Sequence, residues 1–240
     1  MELQTSTSIG EIVKKDFRAA AVFERYGLDF CCGGKKSIGQ GCAEKGIDPE
    51  KVLSDVVKLQ NAAGRVENFD AWEIDFLADY IINRHHSFVR SQLPVLSAHI
   101  RKIISVHGER HPELFSIGGH FEGVQAELTR HMHNEEHILF PYIKRLIDIR
   151  SGRFPKQAPP FVTVENPIRV MEIEHEEAGD AMKQIRRLSN NFMPPEDACT
   201  TYRVCFAELQ EFERDLHQHV HLENNILFPK AIELEKQVNS

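Results

Sequence analysis

Apolar residues recur at helical spacing along most of this chain. One phase runs through Ile82, Val89, Leu93, Leu96, Ile100 and Ile103, with His86 in step. A second holds Leu128, His131, Glu135, Ile138, Leu139, Tyr142 and Leu146, and a third Ile168, Met171, His175, Ala178, Met182 and Ile185. The fourth holds Phe206, Leu209, Phe212, Leu216, His219, Glu223, Ile226 and Leu227. Each stripe is wide enough to line a core on one helix face. Asp70-Ala-Trp-Glu73 reads as a capping box before the first, and Asn166-Pro167 opens the third. Gly108 to Pro112, the Gly/Pro-rich stretch 151–160, and Pro194-Pro195 separate them. Pro94 is expected to kink the first helix. No two-residue alternation competes, so the chain is predicted to be all-α, with an up-down-up-down four-helix bundle over residues 70–240.

Upstream the elements are shorter. Ser8-Ile-Gly-Glu11 is a capping box for a helix running to about Arg25, stopped by Gly27. Asp29-Phe-Cys31-Cys32-Gly33-Gly34 is too rich in glycine for a helix and reads as an exposed turn. Ser37-Ile-Gly-Gln40 and Asp48-Pro49 open two further helices. Residues 1–62 are therefore expected to form a small helical domain carrying the cysteine pair, with residues 63–69 as linker.

Two of the four stripes contain the same phrase. His131-Met-His-Asn-Glu135-Glu-His-Ile-Leu-Phe-Pro141 and His219-Val-His-Leu-Glu223-Asn-Asn-Ile-Leu-Phe-Pro229 both read H-x-H-x-E-x-x-I-L-F-P, 88 residues apart. Histidine and glutamate at i and i+4 share a helix face. His86 precedes the first copy by 45 residues and His175 the second by 44. The bundle thus reads as two helical hairpins, each supplying His, then H-x-x-x-E. Four imidazoles and two carboxylates would meet in one core layer. Packing alone would accept leucine at all six places, and burying so many ionisable groups without an ion is costly. Nitrogen and oxygen donors of this kind suit iron, manganese or zinc. Two bridging glutamates and four histidines fit a non-haem, carboxylate-bridged pair of iron ions, with room for an oxo or hydroxo bridge and an exogenous small molecule.

Composition narrows the setting. The 240 residues carry a formal net charge of −7, which gives no nucleic-acid footprint, and no apolar run is long enough for a membrane span. The polar N-terminus lacks a signal-peptide core, and five cysteines make an odd count, so a reduced, cytoplasmic protein is expected. Thirteen histidines is a high number for this length. Off-phase, His133, His217 and His221 are expected at the surface. His85 competes with His86, and the stripe favours His86. Glu127 and Asp215, one turn before His131 and His219, are candidate partners of those ligands. His107 reads as a capping histidine. Cys31 and Cys32 are candidate redox or thiol groups, poorly placed to chelate one metal together. Cys199 and Cys205 read as core filler.

These residues resemble the repair-of-iron-centres family, a branch of hemerythrin-like proteins, over nearly the whole chain. The cysteine turn looks like that family's N-terminal domain, and the two H-x-x-x-E-x-x-I-L-F-P motifs, with Glu172-Ile-Glu-His175-Glu-Glu-Ala-Gly179 between them, look like its di-iron bundle. The resemblance implies His86, His131, Glu135, His175, His219 and Glu223 as iron ligands, with His86 and His131 on one iron and His175 and His219 on the other. It implies repair of iron–sulfur clusters damaged by nitric oxide or oxidants, with damaged iron–sulfur proteins as partners, through iron donated from a labile site. It also implies a homodimer. The alternative is a reductase or sensor that binds nitric oxide or oxygen at the same site.

Overall fold

The computed structural model describes residues 3–62, 67–157 and 159–239; positions 63–66 of the expected linker lie outside them. The helices are α1 (Ile9–Lys15), α2 (Ala20–Arg25), α3 (Ile38–Lys45), α4 (Pro49–Asn61), α5 (Ile74–Tyr80), α6 (Ser87–His107), α7 (Glu113–Asn134), α8 (Phe140–Arg150), α9 (Glu165–Leu188), α10 (Thr200–Leu222) and α11 (Phe228–Asn239). Among the described residues, β pairing is limited to one isolated bridge between Ser8 and Ser37. The fold is all-α, as the apolar phases predict. The chain forms two compact units, residues 78–219 and residues 1–77 with 220–240.

In the larger unit α7 lies along both α6 and α9. The predicted third stripe is buried throughout, from Ile168 to Ile185. Pro94 sits inside α6 without ending it. The second stripe departs from expectation: Ile138 is 48% exposed, while Phe140 and Ile143 are buried. The cause is a π-helical turn at Glu135–Leu139, which shifts the phase of everything after it. The second motif has the same turn at Glu223–Leu227. In both, Phe-Pro follows. Pro141 and Pro229 have no N–H to give the carbonyl four residues back, and their rings crowd it, so the helix widens there.

A third π segment, Ile81–His86, joins α5 to α6, and Ser87 Oγ donates to Ile82 O, five residues back, at 3.2 Å. The wider turn lets two consecutive residues face inward. Both His85 and His86 are buried, and Ile81 rather than Ile82 is the packed isoleucine. Both histidines are thus inside, but only His86 joins a group of ligand-type atoms.

In the smaller unit, the helix expected from Ser8 to Arg25 is broken at Asp16, whose backbone is extended and whose carboxylate accepts from Arg18 N. Ser8 does not cap with its side chain; its hydroxyl donates to Gly34 O at 2.6 Å. Ser37 and Gln40 form the predicted capping box, and Asp48 caps α4 with Pro49 at its first position. Lys230 on α11 donates to Asp70 O and Trp72 O. Cys205, in the larger unit, is buried core as expected, but Cys199, just before α10, is exposed.

Candidate metal centre

Each π turn carries ligand-type residues, because widening a helix aims side chains that a regular helix would spread around its surface. His86 closes the turn Ile81–His86, Glu135 opens Glu135–Leu139 one turn after His131, and Glu223 opens Glu223–Leu227 one turn after His219. His175 comes from the middle of α9. All six are at most 1% exposed.

Four of the imidazole nitrogens converge on Glu135. His86 Nε2 stands 3.2 Å from His219 Nε2, and His131 Nε2 stands 3.0 Å from His175 Nε2. Glu135 Oε2 lies 3.3 Å from His86 Nε2 and 3.2 Å from His131 Nε2. The potential ligand atoms of His86, Glu135 and His219 form one mutually close group, and those of His131, Glu135 and His175 another, all within 4.8 Å. The pairs are therefore His86 with His219 and His131 with His175. The pairing that the resemblance implied, His86 with His131 and His175 with His219, is corrected. The close nitrogens thus join His86 with His219 and His131 with His175, rather than the two arms of each predicted hairpin. Glu223 shares the face of His219 along the same continuous helix.

The far side of the rings explains why this cluster wants cations. His86 Nδ1 lies 2.6 Å from Glu136 Oε1, which also receives Arg90 at 2.5 Å. His131 Nδ1 lies 2.9 Å from Glu174 Oε2, and Arg130 reaches Glu174 Oε1 at 3.3 Å. A carboxylate on Nδ1 fixes the proton there and leaves Nε2 as a lone pair. Those lone pairs face other imidazole nitrogens and a carboxylate oxygen at 3.0–3.3 Å. Within each pair one ring can donate its Nε2–H to the other, and a positive ion placed between them would instead take the nitrogens and the carboxylate oxygen as donors. Metal–ligand bonds of about 2.1 Å at angles near 90–109° would separate ligand atoms by roughly 3.0–3.4 Å. The cluster fits bound metal.

Glu136 and Glu174 escaped sequence reading, although each stands next to a ligand candidate: Glu136 follows Glu135, and Glu174 precedes His175. Although burial opposes it, Arg90 and His86 together hold the Glu136 carboxyl below its usual range; the hydrogen bond from His131 does the same for Glu174. Of the expected partners, Glu127 is half-buried, while Asp215 is buried and sits 3.1 Å from His85 Nδ1. His107 is buried beside Tyr202.

The cysteine turn is built differently from expectation. Asp29 Oδ1 accepts from the N–H groups of Cys31, Cys32 and Gly33 at 3.0–3.1 Å. Cys31 is buried, not exposed, with its Sγ 3.3 Å from Asp29 Oδ1 and 4.0 Å from Cys32 Sγ. The hydrogen bond to Cys32, then burial, push its thiol well above the usual range. Asp29, Cys31 and Cys32 nevertheless bring three ligand-type atoms within 4.8 Å. Asn225 Nδ2 donates to Phe30 O at 3.1 Å and to Cys31 O at 3.4 Å. His221, expected at the surface, is fully buried between the rings of Phe17 and Phe30, because the small helices cover that face of the C-terminal segment.

Residues 77–231 match the hemerythrin HHE cation-binding domain, and residues 5–60 match a domain of unknown function, DUF542. The chain belongs to the hemerythrin-like cation-binding proteins, in the branch that joins the two domains. It is 34% identical over 225 residues to the iron-sulfur cluster repair protein YtfE of Yersinia pestis strain Pestoides F, covering 94% of this chain and 96% of that one. The protein of the same name from Yersinia pseudotuberculosis serotype IB strain PB1/+ is 33% identical over the same span. The chain is thus a member of the iron-sulfur cluster repair family. Among the described residues, no helix is long and apolar enough to cross a membrane.

Proposed function

We propose that this protein repairs iron–sulfur clusters damaged by nitrosative or oxidative stress, by donating iron from a two-metal site. His86 and His219 hold one ion and His131 and His175 the other. Glu135, common to both groups, bridges them. Glu223 is the second bridge, standing to His219 as Glu135 stands to His131. The observation that carries the reading is the convergence of four Nε2 atoms at 3.0–3.2 Å in pairs beside a buried carboxylate. Iron, when bound, supplies the ion to be delivered. The chain's own work is to hold the imidazoles in one tautomer and keep water from the carboxylates. Residues 1–62 serve as the cysteine-bearing domain, 63–69 as its linker, and 70–240 as the metal-holding part, in a cytoplasmic homodimer.

The test is transfer. Iron-loaded protein is incubated with an enzyme whose cluster has been destroyed by nitric oxide, beside a free-iron control. Recovery above the control is expected. Recovery no better than free iron, together with multiple turnovers of nitric oxide under a reductant, would overturn donation in favour of a reductase.

A further inference from the structure

Three histidines in this protein are wired alike. His86 has Nδ1 on Glu136, with Arg90 on that carboxylate; His131 has Nδ1 on Glu174, with Arg130. The third is His85. Its Nδ1 lies 3.1 Å from Asp215 Oδ1, and Arg84 approaches the same oxygen at 3.6 Å. For the first two the wiring presents an Nε2 lone pair to the proposed metal centre. His85 is as deeply buried, at 0% exposure, yet its Nε2 has no hydrogen-bond partner among the described residues. Asp215 Oδ2, also buried, has none either.

The surroundings are specific. The His85 ring is parallel to that of His219, with 5.6 Å between centroids and 6° between planes. Tyr80 meets its edge. Arg84 is 54% exposed and lies over the Phe88 ring, so the dyad is one side chain away from solvent. A histidine kept only to fill space would not need a buried carboxylate to fix its tautomer. One kept only as partner for Asp215 would not leave a second nitrogen bare in the core. An imidazole with its proton pinned on Nδ1 and an open Nε2 is a nitrogen donor awaiting a cation.

We propose that His85, its proton held on Nδ1 by Asp215, offers Nε2 as an auxiliary donor to a divalent metal beside His219, through which iron enters and leaves the two-metal centre. The inference rests on that centre being a metal site. The wider π turn at Ile81–His86 makes it possible, since it alone puts two consecutive histidines inside.

The test uses the full chain and two near-isosteric variants, His85→Phe, which keeps the ring against His219, and Asp215→Asn. Cobalt(II) titration by calorimetry counts binding events. Release of loaded ferrous iron to a chelator is followed by absorbance, with elemental analysis before and after. The wild type is expected to show one more, weaker event than either variant, and both variants should keep their tightly bound metal while releasing iron about tenfold more slowly. A wild type that binds metal with the same number of events and the same release rate as both variants would overturn this inference alone. A wild type that takes up no metal would overturn the two-metal reading, and this one with it.

Discussion

His86 Nδ1 and Glu136 Oε1 are 2.6 Å apart, and they join two separate bundle helices across the back of the histidine cluster. The contact fixes which nitrogen of His86 faces inward. Glu174 does the same for His131 at 2.9 Å. Outer carboxylates of this kind typically change metal affinity 10–100-fold. Glu136→Ala and Glu174→Ala should therefore each weaken metal binding by roughly that factor, measured by competition with a chelator of known affinity. The conservative Glu136→Gln should recover part of the loss, since an amide oxygen can still accept from Nδ1–H. Unchanged affinity in all three variants would show that the tautomer does not need fixing.

Glu135 should behave differently from its neighbour. It belongs to both groups of ligand-type atoms, so its removal would touch both ions of the proposed centre at once. Glu135→Ala should bring metal content per chain well below that of the wild type. It should also narrow the gap in melting temperature between loaded and metal-free protein, because an ion that binds only the native state stabilises it by mass action. Elemental analysis after gel filtration reads the first, and calorimetric melting the second. Full occupancy in the variant would remove Glu135 from its bridging role.

These two carboxylates also mark where sequence reading stopped. The stripes that define the bundle follow from period alone, and His86, His131, Glu135, His175, His219 and Glu223 were picked by spacing, because polar groups in apolar phases advertise themselves. Glu136 and Glu174 sit one residue off phase, and only the crossing of neighbouring helices turns them toward a ring. The π turns were hidden for another reason. Phe-Pro was legible at 140–141 and 228–229, but its effect, a phase shift that exposes Ile138 and buries Ile143, depends on the helix continuing past the proline. His85 was set second to His86 because a regular helix turns only one of two consecutive residues inward, and the π segment Ile81–His86 turns both. His221 looked like a surface residue because the pattern of one helix cannot reveal what covers it from a distant part of the chain.

The cover over His221 has a measurable consequence. Burial, helped by the nearby Lys14 charge, pushes its pKa down to about 3. Asn225 Nδ2 lies 3.0 Å from its Nδ1, an arrangement that suits a neutral ring with the proton on Nε2. The unfolded chain takes up a proton near the ordinary histidine value of about 6.5. Between those values the unfolded state binds more protons, so this group costs stability as pH falls. Acidification from pH 6.5 to 5 should therefore destabilise the wild type by about 1–2 kcal/mol more than His221→Phe, whose ring suits the Phe17 and Phe30 contacts. Denaturant melts of both proteins at the two pH values check it. Equal losses would mean that His221 titrates normally.

The cysteine turn is held by a side chain whose fit can be tested at a glycine. Asn225 bonds the Phe30 and Cys31 carbonyls. It comes so close to the turn that a Cβ on Gly34 would lie 2.7 Å from Asn225 Oδ1 and 2.6 Å from Phe30 O. Both distances are well inside van der Waals contact, and the carbonyl is backbone that cannot swing away. Gly34→Ala should thus cost on the order of 1–3 kcal/mol, the usual range for overpacking. The displacement should also reach the thiols, since Cys31 is buried by the turn that Gly34 closes. In Gly34→Ala, Cys31 should react faster with a thiol reagent than in the wild type, under native conditions where both proteins are folded. Asn225→Leu, which removes the bonds without adding a clash, should accelerate the reaction too. If Gly34→Ala loses stability while Cys31 stays protected in both variants, the turn is held by something other than Asn225.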